Sequence, residues 1–170
     1  MPSINFRALL CALQLVATMA FSSSALALKT GDPAPAFELP GPQGTVRLAD
    51  FRGKIVYLDF WASWCAPCRQ SMPWLNEMQS KYGEQGLRVV GIGVDDNIAD
   101  ANAFLAAVPV RFTIGLDVTG KTPKAYEIIG MPSSILIDRA GKVLFQHRGF
   151  RKSNTAELEQ KIKQALGAEQ

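Results

Sequence analysis

Near its start the chain carries a largely apolar run, Ala8 to Phe21, and then shifts to a Pro- and Gly-rich stretch over residues 28–50. Within that stretch, Phe37 to Leu39 and Thr45 to Leu48 predict short strands around Gly41-Pro42-Gln43-Gly44, an N-terminal β-hairpin. Ile55 to Phe60 is nearly continuous and apolar, the pattern of a strand buried on both faces. Met72, Leu75, Met78 and Tyr82 then recur at helical spacing, predicting a helix from about Ala66 to Lys81 that Gly83 and Gly86 stop. Leu87 to Val94 reads as a second buried strand and Ile98 to Ala107 as a second helix. An inserted segment near 108–129 follows, with a strand over Arg111 to Leu116 and a short helix over Pro123 to Ile129. Ser134 to Asp138 and Val143 to His147 flank Arg139-Ala140-Gly141-Lys142, a hairpin turn. The final helix takes Asn154 as N-cap with Glu157 three residues on, and lines one face with Leu158, Ile162 and Leu166. Strands alternating with helices before a closing hairpin and helix give an α/β fold, a sheet flanked by helices, without internal repeats.

The 170 residues hold one ordinary domain. A hydrophobic share of 48% supports a buried core, and a charged share of 19% argues against disorder. The net charge of +3 is mild and its basic residues are scattered, so nothing calls for nucleic acid or an anionic membrane as partner.

The apolar run changes that picture at the N-terminus. Arg7 is the only charged residue before Lys29, and the run ends in small residues closing with Ala25-Leu26-Ala27, an A-x-A cleavage pattern. The run is about 14 residues, short of the roughly 20 that cross a bilayer as a helix. Residues 1–27 therefore read as a cleaved secretory signal and 28–170 as the mature domain, without stable membrane insertion after cleavage. An uncleaved membrane anchor is the alternative. Cys11 lies inside the run and leaves with the signal.

Of the three cysteines, cleavage leaves Cys65 and Cys68, a single C-x-x-C. A pair so close in sequence closes too small a loop to stabilise much by chain entropy, and a domain of about 140 residues does not need the staple. The bond is more useful if made and broken. Cys65-Ala66-Pro67-Cys68 sits where a buried strand ends and a helix begins. There the unpaired amides and the helix dipole favour the thiolate of the first cysteine. Cys65 is the expected attacking thiol and Cys68 the covered, resolving thiol. Pro67 suits the first turn, where an amide hydrogen is not needed. A structural disulfide and a metal site are the competing readings. Zinc needs two further soft ligands, but no third cysteine survives and His147 is the only histidine, so no metal and no cofactor are expected. Copper(I) needs fewer ligands, and transient copper binding by the pair stays open.

The run Tyr57-Leu58-Asp59-Phe60-Trp61-Ala62-Ser63-Trp64-Cys65-Ala66-Pro67-Cys68 resembles the thioredoxin active-site segment almost residue by residue. Pro73 matches the proline that kinks the helix there, and Met131-Pro132 matches the family's cis-proline loop. The Gly31 to Lys54 block and the insertion near 108–129 resemble the TlpA/ResA group of extracytoplasmic thioredoxin-like reductases; the resemblance covers about residues 31–166. It implies a thioredoxin fold with a central mixed sheet. It also implies a buried-acid role for Asp59, exchanging a proton with the second cysteine; a carboxyl in an apolar strand has the raised pKa such a base needs. Members of that group commonly carry Asn here, so Asp59 brings the site closer to thioredoxin itself. A hydrogen-bonded core Asp is the plainer reading. The resemblance further implies that the backbone of Met131, beside a cis Pro132, pairs with an extended substrate segment. Trp61 and Trp64 serve either packing or a substrate-facing wall, and Trp64, next to Cys65, is the candidate contact. His147 reads as structural, and Asp95 and Asp96 as loop or helix-cap residues.

The expected function is a periplasmic thiol–disulfide oxidoreductase that reduces disulfides in exported proteins, recharged by a membrane thiol donor. Apocytochrome c and copper-site assembly proteins are the substrate classes the resemblance suggests. A disulfide-donating oxidase of the same fold and a copper-binding assembly protein are the alternatives. A thiol peroxidase, suggested by Gly31-Asp32-Pro33-Ala34-Pro35-Ala36-Phe37, requires Thr and Pro where Ala62 and Leu58 stand.

Overall fold

A computed structural model describes residues 28–167. The expected signal segment, with Cys11 and the Ala27 cleavage position, lies outside the described residues. Two strands at the start of the domain, β1 (Glu38–Leu39) and β2 (Val46–Arg47), pair antiparallel as the predicted hairpin. The main sheet contains β3 (Ile55–Trp61), β4 (Leu87–Gly93), β5 (Thr113–Leu116), β6 (Ser133–Ile137) and β7 (Val143–Arg148). Their spatial order is β5-β4-β3-β6-β7. β3, β4 and β5 run parallel, while β6 is antiparallel to β3 and β7 to β6, so the sheet is mixed as expected.

All seven residues of β3 are buried, because the strand lies in the centre of the sheet with both faces covered. Its alternation assigns the two faces. Tyr57 and Trp61 join a core with Met72, Leu75 and Met78 of α1 (Ala66–Tyr82), Phe104 of α2 (Ile98–Ala107), and Leu158 and Ile162 of α4 (Thr155–Gly167). Val56, Leu58 and Phe60 face the opposite core, closed by Phe37 and Leu39 of the hairpin region and by Tyr126, just after α3 (Lys121–Ala125). Parallel strands require crossovers, and two crossovers taken in the same direction across the sheet put α1 and α2 on the same face.

Trp61 fits this face only because β4 is bare beneath it. A Cβ at Gly91 or Gly93 would stand 3.1 or 2.9 Å from the indole. Phe104 closes the other side, stacked on Trp61 at 5.0 Å between ring centroids.

Departures from the sequence expectation at α3, β5 and the start of α4 each have a local reason. The short helix starts and ends earlier than Pro123 to Ile129. Asp117 draws the turn in by accepting from the amides of Thr119 (2.8 Å) and Thr122 (2.6 Å), and Glu127 adopts a φ of 53°, which ends it. β5 starts at Thr113 rather than Arg111, because Asn76 on α1 holds the preceding segment by bonds to Pro109 O and Arg111 N. Asn154 ends a 3-10 turn, Lys152–Asn154, and its side-chain amide lies 3.4 Å from His147 Nε2 instead of capping α4.

Candidate active site

β3 ends at Trp61, and the chain must turn through Ala62-Ser63-Trp64 to enter α1. Asp95, two residues past the end of β4, anchors that turn. Its carboxylate accepts from the Ser63 amide (3.1 and 3.0 Å) and from the Ser63 hydroxyl (2.5 Å). From sequence, Asp95 is expected to be a loop or helix-cap residue. The helix cap is Asn97, which accepts from Ala99 N, while Asp95 is buried at the active-site turn and Asp96 is exposed. The only signal in the sequence was position: an acid just past a parallel strand reaches the same end of the sheet as the loop from its neighbour.

Cys65 is the N-cap of α1, with Pro67 in the first turn. Its Sγ accepts from the Cys68 amide at 3.2 Å, and its carbonyl accepts from the same amide at 3.1 Å. The two cysteines are joined as a disulfide, with their Cα atoms 5.3 Å apart. Cys68 is fully buried and Cys65 retains a small exposed area, 4%. A thiolate formed at Cys65 on reduction would meet the amide of Cys68 and the unpaired start of the helix, which favour negative charge. Pro73 lies inside α1, where it removes one helical amide.

Asp59 is buried on the face of β3 that Tyr57 and Trp61 share with the cysteines. Its Oδ1 accepts from the Ser134 hydroxyl at 2.7 Å, and its Oδ2 has no hydrogen-bond partner among the described residues. Burial pushes this carboxyl from 3.8 up to about 7, with the Ser134 hydrogen bond opposing the rise. Burial and the neighbouring Asp59 charge likewise raise the Tyr57 phenol. The arrangement can hold a proton near neutral pH within the core that covers Cys68.

The Met131-Pro132 peptide is cis. In register, Ser133 opposes Phe60, so this loop adjoins the end of β3 from which the cysteine turn departs. Met131 packs against the core cluster that contains both cysteines, and its backbone amide and carbonyl have no hydrogen-bond partner among the described residues. The tryptophans divide. Trp61 is fully buried, and Trp64 is 71% exposed beside Cys65. His147 lies on β7 with its ring stacked near Phe145. Among the described residues, no three His, Cys, Asp or Glu side chains are grouped to hold a metal ion.

The Cys65–Cys68 disulfide at the start of a helix is the CxxC pair of a thiol–disulfide oxidoreductase, and the mixed sheet around it is thioredoxin-like. The chain belongs to the Redoxin family, which it matches over residues 29–163. It is 35% identical to thiol-disulfide oxidoreductase ResA of Bacillus thuringiensis subsp. konkukian over 123 residues, 72% of this chain and 71% of the relative. ResA of Bacillus subtilis is 30% identical over 137 residues, 80% of this chain and 76% of that one. A crystal structure from Chlorobium tepidum, assigned as a thiol:disulfide interchange protein DsbE, superposes with a TM-score of 0.81. It is 56% identical and covers 82% of this chain and 99% of its own. The protein is a TlpA/ResA-type thioredoxin-like oxidoreductase that works on protein thiols and disulfides.

Proposed function

We propose that the protein is a periplasmic disulfide reductase, released behind Ala27 and acting through Cys65 and Cys68. The Cys65 thiolate attacks a substrate disulfide, forming a mixed disulfide and releasing one substrate thiolate. The Cys68 thiolate then attacks Cys65 Sγ and releases the second substrate sulfur. The substrate gains two electrons and two protons, and the enzyme leaves as the Cys65–Cys68 disulfide. Asp59 takes the proton from Cys68 as it becomes the nucleophile. Trp64 and the Met131 backbone, beside Pro132, receive the extended chain around the substrate cysteine. Apocytochrome c or a copper-site assembly protein supplies that chain, and a membrane thiol carrier returns the electrons.

The observation that carries this reading is the Cys68 amide directed at Cys65 Sγ, at the start of a helix with Cys68 itself buried. The direction of electron flow rests on Ala66-Pro67 and on Asp59, whose burial raises the cost of negative charge near the reduced pair.

Equilibration of the mature domain with dithiothreitol and glutathione buffers tests that direction. A reduction potential near thioredoxin's ~−270 mV is expected, against ~−120 mV for a strong periplasmic oxidant. A value above roughly −170 mV would establish the oxidase direction instead.

A further inference from the structure

Asp59 has two carboxylate oxygens in different surroundings, and one residue accounts for the difference. Ser134 stands directly across from Asp59 in the antiparallel register of β3 and β6, so both side chains project toward the core that holds the cysteines. Its hydroxyl donates to Oδ1, and among the described residues Oδ2 has no partner in a buried site. On the other flank the β4 residue paired with Asp59 is Gly91, which brings no side chain of its own.

A serine hydroxyl has one proton to give. In the structure that proton is committed to Asp59 Oδ1. The Ser134 bond therefore sets which carboxyl oxygen is held and which is left open. We propose that Ser134 is a positioning residue for resolution: it holds Oδ1 and so reserves Oδ2 as the oxygen that receives the Cys68 proton. This rests on the reading of Asp59 as the base for Cys68.

Tyr57, on the same face of β3, and Cys65 and Cys68, at the start of α1, share the core on this side of the sheet. His147 pairs with Ser134 from β7, and Lys161 of α4 lies over Phe145 on that strand. The buried residues of α4 that close this core are the apolar Leu158, Ile162, Ala165 and Leu166. Burial raises the Asp59 carboxyl and the Ser134 hydrogen bond opposes the rise.

The test is the pH dependence of the second step, measured by mixing the reduced mature domain with oxidised glutathione. Formation and decay of the Cys65–glutathione mixed disulfide are followed by acid quench and intact mass. In Ser134→Ala the midpoint of the resolution step moves upward by ~1 pH unit, because the hydrogen bond that favours the carboxylate is gone. Attack by Cys65 changes little. Ser134→Thr restores the midpoint, and in an Asp59→Asn background Ser134→Ala produces no further shift. Ser134→Gly makes the same measurement should the alanine variant fold poorly. If Asp59→Asn alters the profile while neither Ser134→Ala nor Ser134→Gly moves the midpoint, the role of Ser134 is overturned and that of Asp59 stands. An unaltered profile in Asp59→Asn overturns both.

Discussion

Asp95 holds Ser63 by three hydrogen bonds, two to the amide and one to the hydroxyl, and so ties the end of β4 to the turn that delivers Cys65. Asp95→Ala would leave the Ser63 amide without its partner in a part-buried turn. A loss of about 2 kcal/mol in stability is expected, measured by urea unfolding of the oxidised domain. The reduced variant is also expected to react more slowly with a disulfide at Cys65, since the turn that positions the helix start is looser. Wild-type stability and rate would remove Asp95 from the site.

The cysteines are expected to differ in reactivity. Cys65 Sγ faces the Cys68 amide at the helix start, and Cys68 is fully buried. In the reduced domain Cys65 is expected to alkylate with iodoacetamide well below the pH of an ordinary thiol of pKa ~8.5, while Cys68 stays slow. Peptide mapping after timed alkylation reads this directly. Cys68→Ser is expected to accumulate mixed disulfides with substrate, and Cys65→Ser is not. Faster modification of Cys68 would reverse the assigned roles.

Asp59 links stability to pH with a defined sign. Its carboxyl is raised from 3.8 to about 7 in the folded protein. Between those values the folded state binds a proton that the unfolded chain releases. The stabilising effect is therefore fully present below about pH 4 and is lost as pH rises through about 7. A shift of about three units corresponds to at most about 4 kcal/mol. Asp59→Asn removes the linkage, so the oxidised variant is expected to gain stability over wild type at pH 8 and to lose that advantage by pH 4. Parallel denaturation curves for the two proteins across this range would contradict the buried, raised carboxyl.

The two tryptophans separate packing from recognition. Trp61→Ala empties a fully buried site between Gly91, Gly93 and Phe104 and is expected to cost about 3–5 kcal/mol. Trp64→Ala, at an exposed position, is expected to change stability by less than about 0.5 kcal/mol. Its effect is expected in the rate with a folded or peptide disulfide, and not with a small disulfide such as oxidised glutathione. Equal loss with both substrates would place Trp64 in the chemistry or the fold rather than in substrate contact.

The local order of this molecule was legible in its sequence wherever one short-range force dominated. The continuous apolar run at Ile55 marked the central strand because both faces of that strand are covered. The periodicity of Met72, Leu75 and Met78 marked α1 because one face meets the sheet. Cys65-Ala66-Pro67-Cys68 declared its position at a helix start because a proline in the first turn and paired cysteines have few other uses there. Tertiary contacts decided what no local pattern carries. Asn154 has the composition of a cap, yet its side chain turns to His147, which only the folded sheet brings near. Asp95 and Ser63 are 32 residues apart, and Ser134 and Asp59 are 75 apart. A hydrogen bond between distant residues depends on strand order and register, set by how the whole sheet buries its apolar faces, and those choices placed the partners around Cys65 and Asp59.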